Sequence, residues 1–139
     1  MHADRPSREK EPVALIHEEI SKVIIGAFFE VYNALGFGFL EVVYARALEI
    51  VLRRKGLRVE RQYPLEIHFQ GEQIGFYRCD MIVERTVIIE IKATELLAEA
   101  SKKQLRNYLA ASRLRLGMLL HFGPKAQFHR VLGPGADET

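Results

Sequence analysis

The sequence predicts an α/β domain, a mixed central sheet flanked by helices in the order αα-βββ-α-ββ. Three observations carry this. The first third of the chain repeats apolar residues at helical spacing. The middle switches to the alternation of strands. A second helical stretch then separates the third strand from a run that is apolar on both faces.

Residues 1–11 read as a loose leader and 133–139, GPGADET, as a loose tail, leaving one domain over 12–132. Apolar residues at Val13, Ile16, Ile20, Val23, Ile24, Ala27, Phe28 and Val31 predict a long amphipathic helix over 13–35. Gly36 and Gly38 break it. A second helix is expected over 40–55, with Arg53, Arg54 and Lys55 suiting its C-terminus and Gly56 ending it. Strands are expected over 59–69, 74–83 and 87–92, with 70–73 as a turn. Thr94 is placed to cap a third helix running to about Arg113. Two strands, 116–122 and 126–132, complete the chain.

Composition excludes several classes. At 139 residues the chain buries about 68–70% of its unfolded surface, so it needs no metal or disulfide simply to fold. It is 48% hydrophobic and 27% charged, the balance of a globular protein. A lone cysteine, Cys79, excludes an internal disulfide and paired-cysteine zinc sites; beside Asp80 it reads as a buried, inert thiol. The five histidines lack ligand spacing, and most read as surface or core-edge residues. There is no phosphate-binding loop and no G-x-S-x-G elbow. No apolar run is long enough to span a membrane and the N-terminus lacks a secretory pattern, so a cytoplasmic protein is expected. The net charge of +2 permits nucleic-acid binding without arguing for it. Basic residues do crowd two stretches, Arg53 to Arg61 and Lys102 to Arg115, each of which suits a solvated helix face or a phosphate-facing surface.

The sharper signal is acidic. Asp80 lies in an otherwise apolar strand, and Glu90 and Lys92 lie inside Val87-Ile88-Ile89-Glu90-Ile91-Lys92. Charges in an interior strand cost several kcal/mol unless paired or bound to metal. Glu90 and Lys92 share a face, and Asp80 belongs to the neighbouring hairpin strand, so the three can meet. Carboxylate oxygens suit a hard divalent cation, and a lysine beside one can steady a developing anion. A plain ion pair with Lys92 explains the same residues equally well. Glu41 and Tyr44 share one helix face, as do Gln104 and Tyr108; a helix-dipole role for Glu41 and a core role for Tyr108 are the simpler alternatives.

Gly38-Phe39-Leu40-Glu41-Val42-Val43-Tyr44 resembles the signature of the GxxExxY proteins, a family placed in the PD-(D/E)xK nuclease superfamily. Asp80 with Glu90-Ile91-Lys92 resembles that superfamily's D…E-x-K core, and Gln104 to Tyr108 is similar to the Q-x-x-x-Y motif of its RecB-like branch. Cys79 stands where the superfamily's proline would be. The resemblance spans roughly Ile16 to Val131. It implies a restriction-endonuclease-like core and a Mg2+ or Mn2+ site, with Asp80, Glu90 and the Ile91 carbonyl as ligands and Glu41 as a further metal-shell acid. It makes Lys92 the catalytic lysine and has Gln104 and Tyr108 orient substrate or lysine.

The expected activity is metal-dependent phosphodiester hydrolysis in nucleic acid, with DNA as the expected substrate. Tyr44, Arg53, Arg54, Lys102, Lys103 and Arg106 are the expected substrate contacts. The alternatives are an inactive nuclease-fold module that binds nucleic acid or protein, and a homodimer built on the first helix. A shared metal also has a geometric consequence. Asp80 opposite Glu90 requires Val83 opposite Val87 and a three-residue loop, Glu84-Arg85-Thr86. A two-residue loop would turn Asp80 to the wrong face unless a bulge restored it.

Overall fold

The computed structural model describes residues 17–134. Its elements are α1 (Glu18–Leu35), α2 (Glu41–Arg54), β1 (Val59–Phe69), β2 (Glu72–Val83), β3 (Val87–Lys92), α3 (Glu99–Ser112), β4 (Leu116–Phe122) and β5 (Ala126–Leu132). The five strands form one sheet in sequence order. Pairing is antiparallel except between β3 and β4, which run parallel and are joined by the α3 crossover.

Two apolar layers hold the sheet. On one face α1 and α2 bury Ile24, Phe28, Tyr44, Leu48 and Leu52 against Met81, Ile89, Ile91, Met118 and Phe122. On the other, Leu105 and Leu109 of α3 close over Leu65, Cys79, Ile82, Ile88 and Leu119. The strand β4 is buried along its whole length, as its largely apolar run predicts, His121 included. No described helix is long and apolar enough to cross a membrane.

Three boundaries differ from the sequence expectation. Val13 and Ile16, expected to open the first helix, lie outside the described residues, and α1 is described from Glu18. Strand pairing continues to Phe69 opposite Glu72, so the expected four-residue turn shrinks to Gln70-Gly71, both with left-handed φ. Thr94 does not cap α3, which starts at Glu99. The Thr94 hydroxyl instead donates to the Leu96 carbonyl at 2.7 Å, and its own carbonyl accepts from His121 Nε2 at 2.7 Å. A residue so committed to a bend cannot also start a helix.

Candidate active site

The site forms where β2 and β3 part. Their ladder pairs Val83 with Val87, Ile82 with Ile88 and Met81 with Ile89, then stops. The connecting loop is the three residues Glu84, Arg85 and Thr86, with Glu84 and Arg85 both left-handed. This is the odd loop that the shared-site argument requires, and it sets Asp80 level with Glu90. Beyond Met81 the carboxylates take over from the backbone. Glu90 Oε2 accepts from the Asp80 N–H at 3.1 Å, and Asp80 Oδ2 accepts from the Ile91 N–H at 2.6 Å. Each acid thus satisfies an amide that the parted ladder would leave unpaired.

The hairpin of β1 and β2 is distorted at the same level. Gln62 has a φ of 53°, and it is missing from a register that pairs Arg61 with Met81 and Tyr63 with Cys79. Val59 and Met81 pack towards α1 and α2, yet Tyr63, Leu65, Tyr77 and Cys79, of the same odd parity, pack towards α3. Both strands therefore skip one alternation together, at Gln62 and Asp80.

This opening holds a pocket of about 220 Å³ lined by Glu41, Arg61, Gln62, Asp80 and Ile91, with Val42 and Ala45 as its apolar wall. Glu41 enters from the first turn of α2. Burial and then the charge of Asp80 push its carboxyl above the usual range, against the opposing effects of Lys92 and the Ala93 N–H. Burial also raises Asp80, with the Ile91 N–H, Lys92 and Arg61 holding it back. Glu90 is only 5% exposed. Burial and Asp80 push it up to about 7. Two glutamates that each feel the charge of Asp80, in an all-oxygen donor set, suit a hard divalent cation. Among the described residues, no three acids, histidines or cysteines are already clustered tightly enough to hold one.

Lys92 acts electrostatically on Glu41, Asp80 and Glu90 alike, yet it joins none of the ion pairs found among the described residues. It does not simply neutralise one strand partner. Beside it in the parallel register stands His121, only 3% exposed, a buried histidine where a surface or core-edge one was expected. Its bond to Thr94 ties β4 to the loop that follows Lys92. Gly123 makes room for this: a Cβ there would stand 2.6 Å from the imidazole.

Behind the site lies an aromatic relay. The Tyr77 hydroxyl donates to Glu90 Oε1 at 2.8 Å. Its ring stacks on Tyr108 at 3.6 Å and 10°, and Gln104 hydrogen-bonds the Tyr108 hydroxyl. Gln104 and Tyr108 therefore reach the acids through Tyr77. Sequence reasoning missed Tyr77, although its alternation with Cys79 was visible. It also missed Gln62, and it read Arg61 only as the end of a basic stretch, because a skipped alternation leaves no mark in residue type.

Other expected site residues lie elsewhere. Tyr44 is 0% exposed and stacked on Phe122 at 4.1 Å, so it is a core residue and not a substrate contact. Its hydroxyl donates to the Gly36 carbonyl and accepts from the Phe39 N–H, fixing the turn that leads into Glu41. Arg53 and Arg54 end α2, about 20 Å from Glu41 along the helix axis. Arg53 is also engaged there with Glu49 and the Val59 carbonyl. Lys102 pairs with Glu99, whereas Lys103 and Arg106 are exposed on α3. Cys79 is fully buried, and burial pushes its thiol up to about 12, in line with an inert role.

Residues 18–131 match the family model of the PD-(D/E)XK nuclease superfamily. Among solved structures, the crystal structure of SSO0001 is similar at 25% identity and a TM-score of 0.51, over 66% of this chain. The match takes in about half, 49%, of that protein's chain. No curated protein matches. With the family match spanning nearly all of the described fold, the chain belongs to the PD-(D/E)XK nuclease superfamily.

Proposed function

We propose that this domain is a divalent-metal-dependent nuclease that hydrolyses phosphodiester bonds in DNA. The observation that carries this reading is the convergence of Glu41, Asp80, Glu90 and Lys92 where β2 and β3 part. Glu41 and Asp80 line the pocket, Glu90 stands directly behind Asp80, and the Ile91 backbone is beside them. These four residues would hold Mg2+ or Mn2+. The bound ion would polarise a phosphoryl oxygen and make a water more acidic. Lys92 holds the negative charge that grows on the phosphate as the bond to the leaving oxygen lengthens. Tyr77 keeps the Glu90 carboxylate oriented. Within the superfamily, Glu41 with Tyr44 and Gln104 with Tyr108 support a place among the GxxExxY proteins and the RecB-like branch.

One observation favours a second reading, a scaffold that binds without turnover: both Glu90 oxygens already accept hydrogen bonds. End-labelled DNA incubated with Mg2+, Mn2+ or chelator separates the two. Cleavage is expected only with metal, and Asp80→Ala should lower it by roughly a thousandfold while the circular dichroism spectrum is preserved. Equal cleavage by wild type and Asp80→Ala would refute the nuclease assignment.

A further inference from the structure

We propose that the rim of the pocket is a track for single-stranded nucleic acid, with Phe76 and Phe39 as base-stacking platforms and Arg78 and Arg61 as backbone contacts. This rests on the nuclease reading and narrows it to a substrate class.

The paired skip at Gln62 and Asp80 decides which side of the hairpin arm faces the pocket. Tyr77 and Cys79 turn towards α3, so Phe76 and Arg78 turn the other way, to the side where α2 delivers Glu41. Arg78 donates to the Gln62 carbonyl at 3.4 Å, and Gln62 lines the pocket beside Arg61. The Arg78 guanidinium lies 5.4 Å from the centre of the Phe76 ring, which remains 56% exposed. Arg61, opposite Met81, thus lies on the root side of Asp80, while Arg78 and Phe76 run outward from it along the arm. On the α2 side of the site, Phe39 is 46% exposed and stands two residues before Glu41. Its ring packs edge-on against buried Tyr44 at 6.1 Å and 85°.

Both rings are held by a neighbour and still open to solvent. A held ring loses little freedom when a base stacks on it. Stacking needs a free base face, which unpaired nucleotides offer and the interior of a duplex does not. Arg78 supplies positive charge beside Phe76 and Arg61 supplies it in the pocket, which a polyanion would meet and a purely apolar partner would not use.

The test is fluorescence anisotropy in chelator, with a labelled single-stranded DNA of mixed sequence and the same sequence as a duplex. The single strand should bind more tightly. Phe76→Ala and Phe39→Ala should each weaken it about tenfold, and Phe76→Trp should keep affinity where Phe76→Leu loses it. Arg78→Gln should flatten the dependence of log K on log salt by about 0.7. Circular dichroism of each variant checks the fold. Equal or tighter binding of duplex, or unchanged affinity in both alanine variants, would overturn the track. So would a wild-type dimer in sedimentation that Phe76→Ala splits, because the strip would then be a self-interface. Single strands bound in this pattern but never cut with Mg2+ or Mn2+ would support the track and sink the nuclease reading alone.

Discussion

Two stacked pairs of rings sit on opposite faces of the sheet. Tyr44 lies on Phe122 beneath α1 and α2, at 4.1 Å and 17°. Tyr77 lies on Tyr108 beneath α3, at 3.6 Å and 10°. The geometries are alike but the consequences differ. The first pair is sealed in the core, and the Tyr44 hydroxyl spends both its bonds on the turn before Glu41. The second pair is half-buried, and the Tyr77 hydroxyl goes to a carboxyl of the site. One stack supports the scaffold that delivers an acid, whereas the other holds an acid already delivered and favours its ionised form. Similar ring contacts therefore have to be told apart by where their polar ends lead.

That distinction can be broken most decisively at Tyr44. Tyr44→Ala should lose about 3–5 kcal/mol of stability in urea unfolding, the cost of deleting a large core ring. A variant that kept its stability but lost activity would reverse the assignment of roles.

The next test concerns Glu90 in the free protein. Its carboxyl titrates at about 7 when folded, against an ordinary value of 4.5. Between those values the folded protein carries the extra proton, so stability in chelator should fall as pH rises from about 4.5 to 7. Glu41 and Asp80 are raised too and add in the same direction. Glu90→Gln should remove most of the slope, read as urea midpoints at pH 5 and pH 8. A wild-type stability that climbs across this window would contradict the burial of the three acids.

A smaller effect sharpens the role of the second stack. Tyr77→Phe keeps the ring contact but removes the bond that favours ionised Glu90. Metal binding needs the ionised carboxylate, so its pH midpoint, followed by calorimetry, should move up by roughly 1–2 units. A midpoint that stays put would show that the hydroxyl is idle.

Much of the fold was legible because alternation and helical spacing are local properties. The bounds of β1, β3, β4 and β5 follow from residue pattern, and a metal shared by Asp80 and Glu90 called for the three-residue loop at Glu84 to Thr86 or a bulge, of which the loop is found. The conjunction of acids was legible because charges in an apolar strand are costly. Illegible were features set by distant partners. Thr94 looks like a helix cap until His121 takes its carbonyl. Tyr44 looks like a site residue because it is one turn from Glu41, yet helical rotation turns it onto Phe122. Arg53 and Arg54 look like phosphate contacts until the length of α2 carries them to its far end.

The double skip at Gln62 and Asp80 makes two properties inseparable. It frees Asp80 from the ladder, and it rolls the outer half of the hairpin by half a turn relative to the inner half. Deleting Gln62 would restore ordinary pleating on β1 but would set its outer half one residue out of step with β2. Either Leu65 would be forced into water, or the hairpin would have to slide and carry Tyr77 away from Glu90. Lineages descending from this chain can lengthen or shorten the arm at its Gln70-Gly71 tip, but an insertion or loss near its root would cost the acid centre and the arm's facing at once.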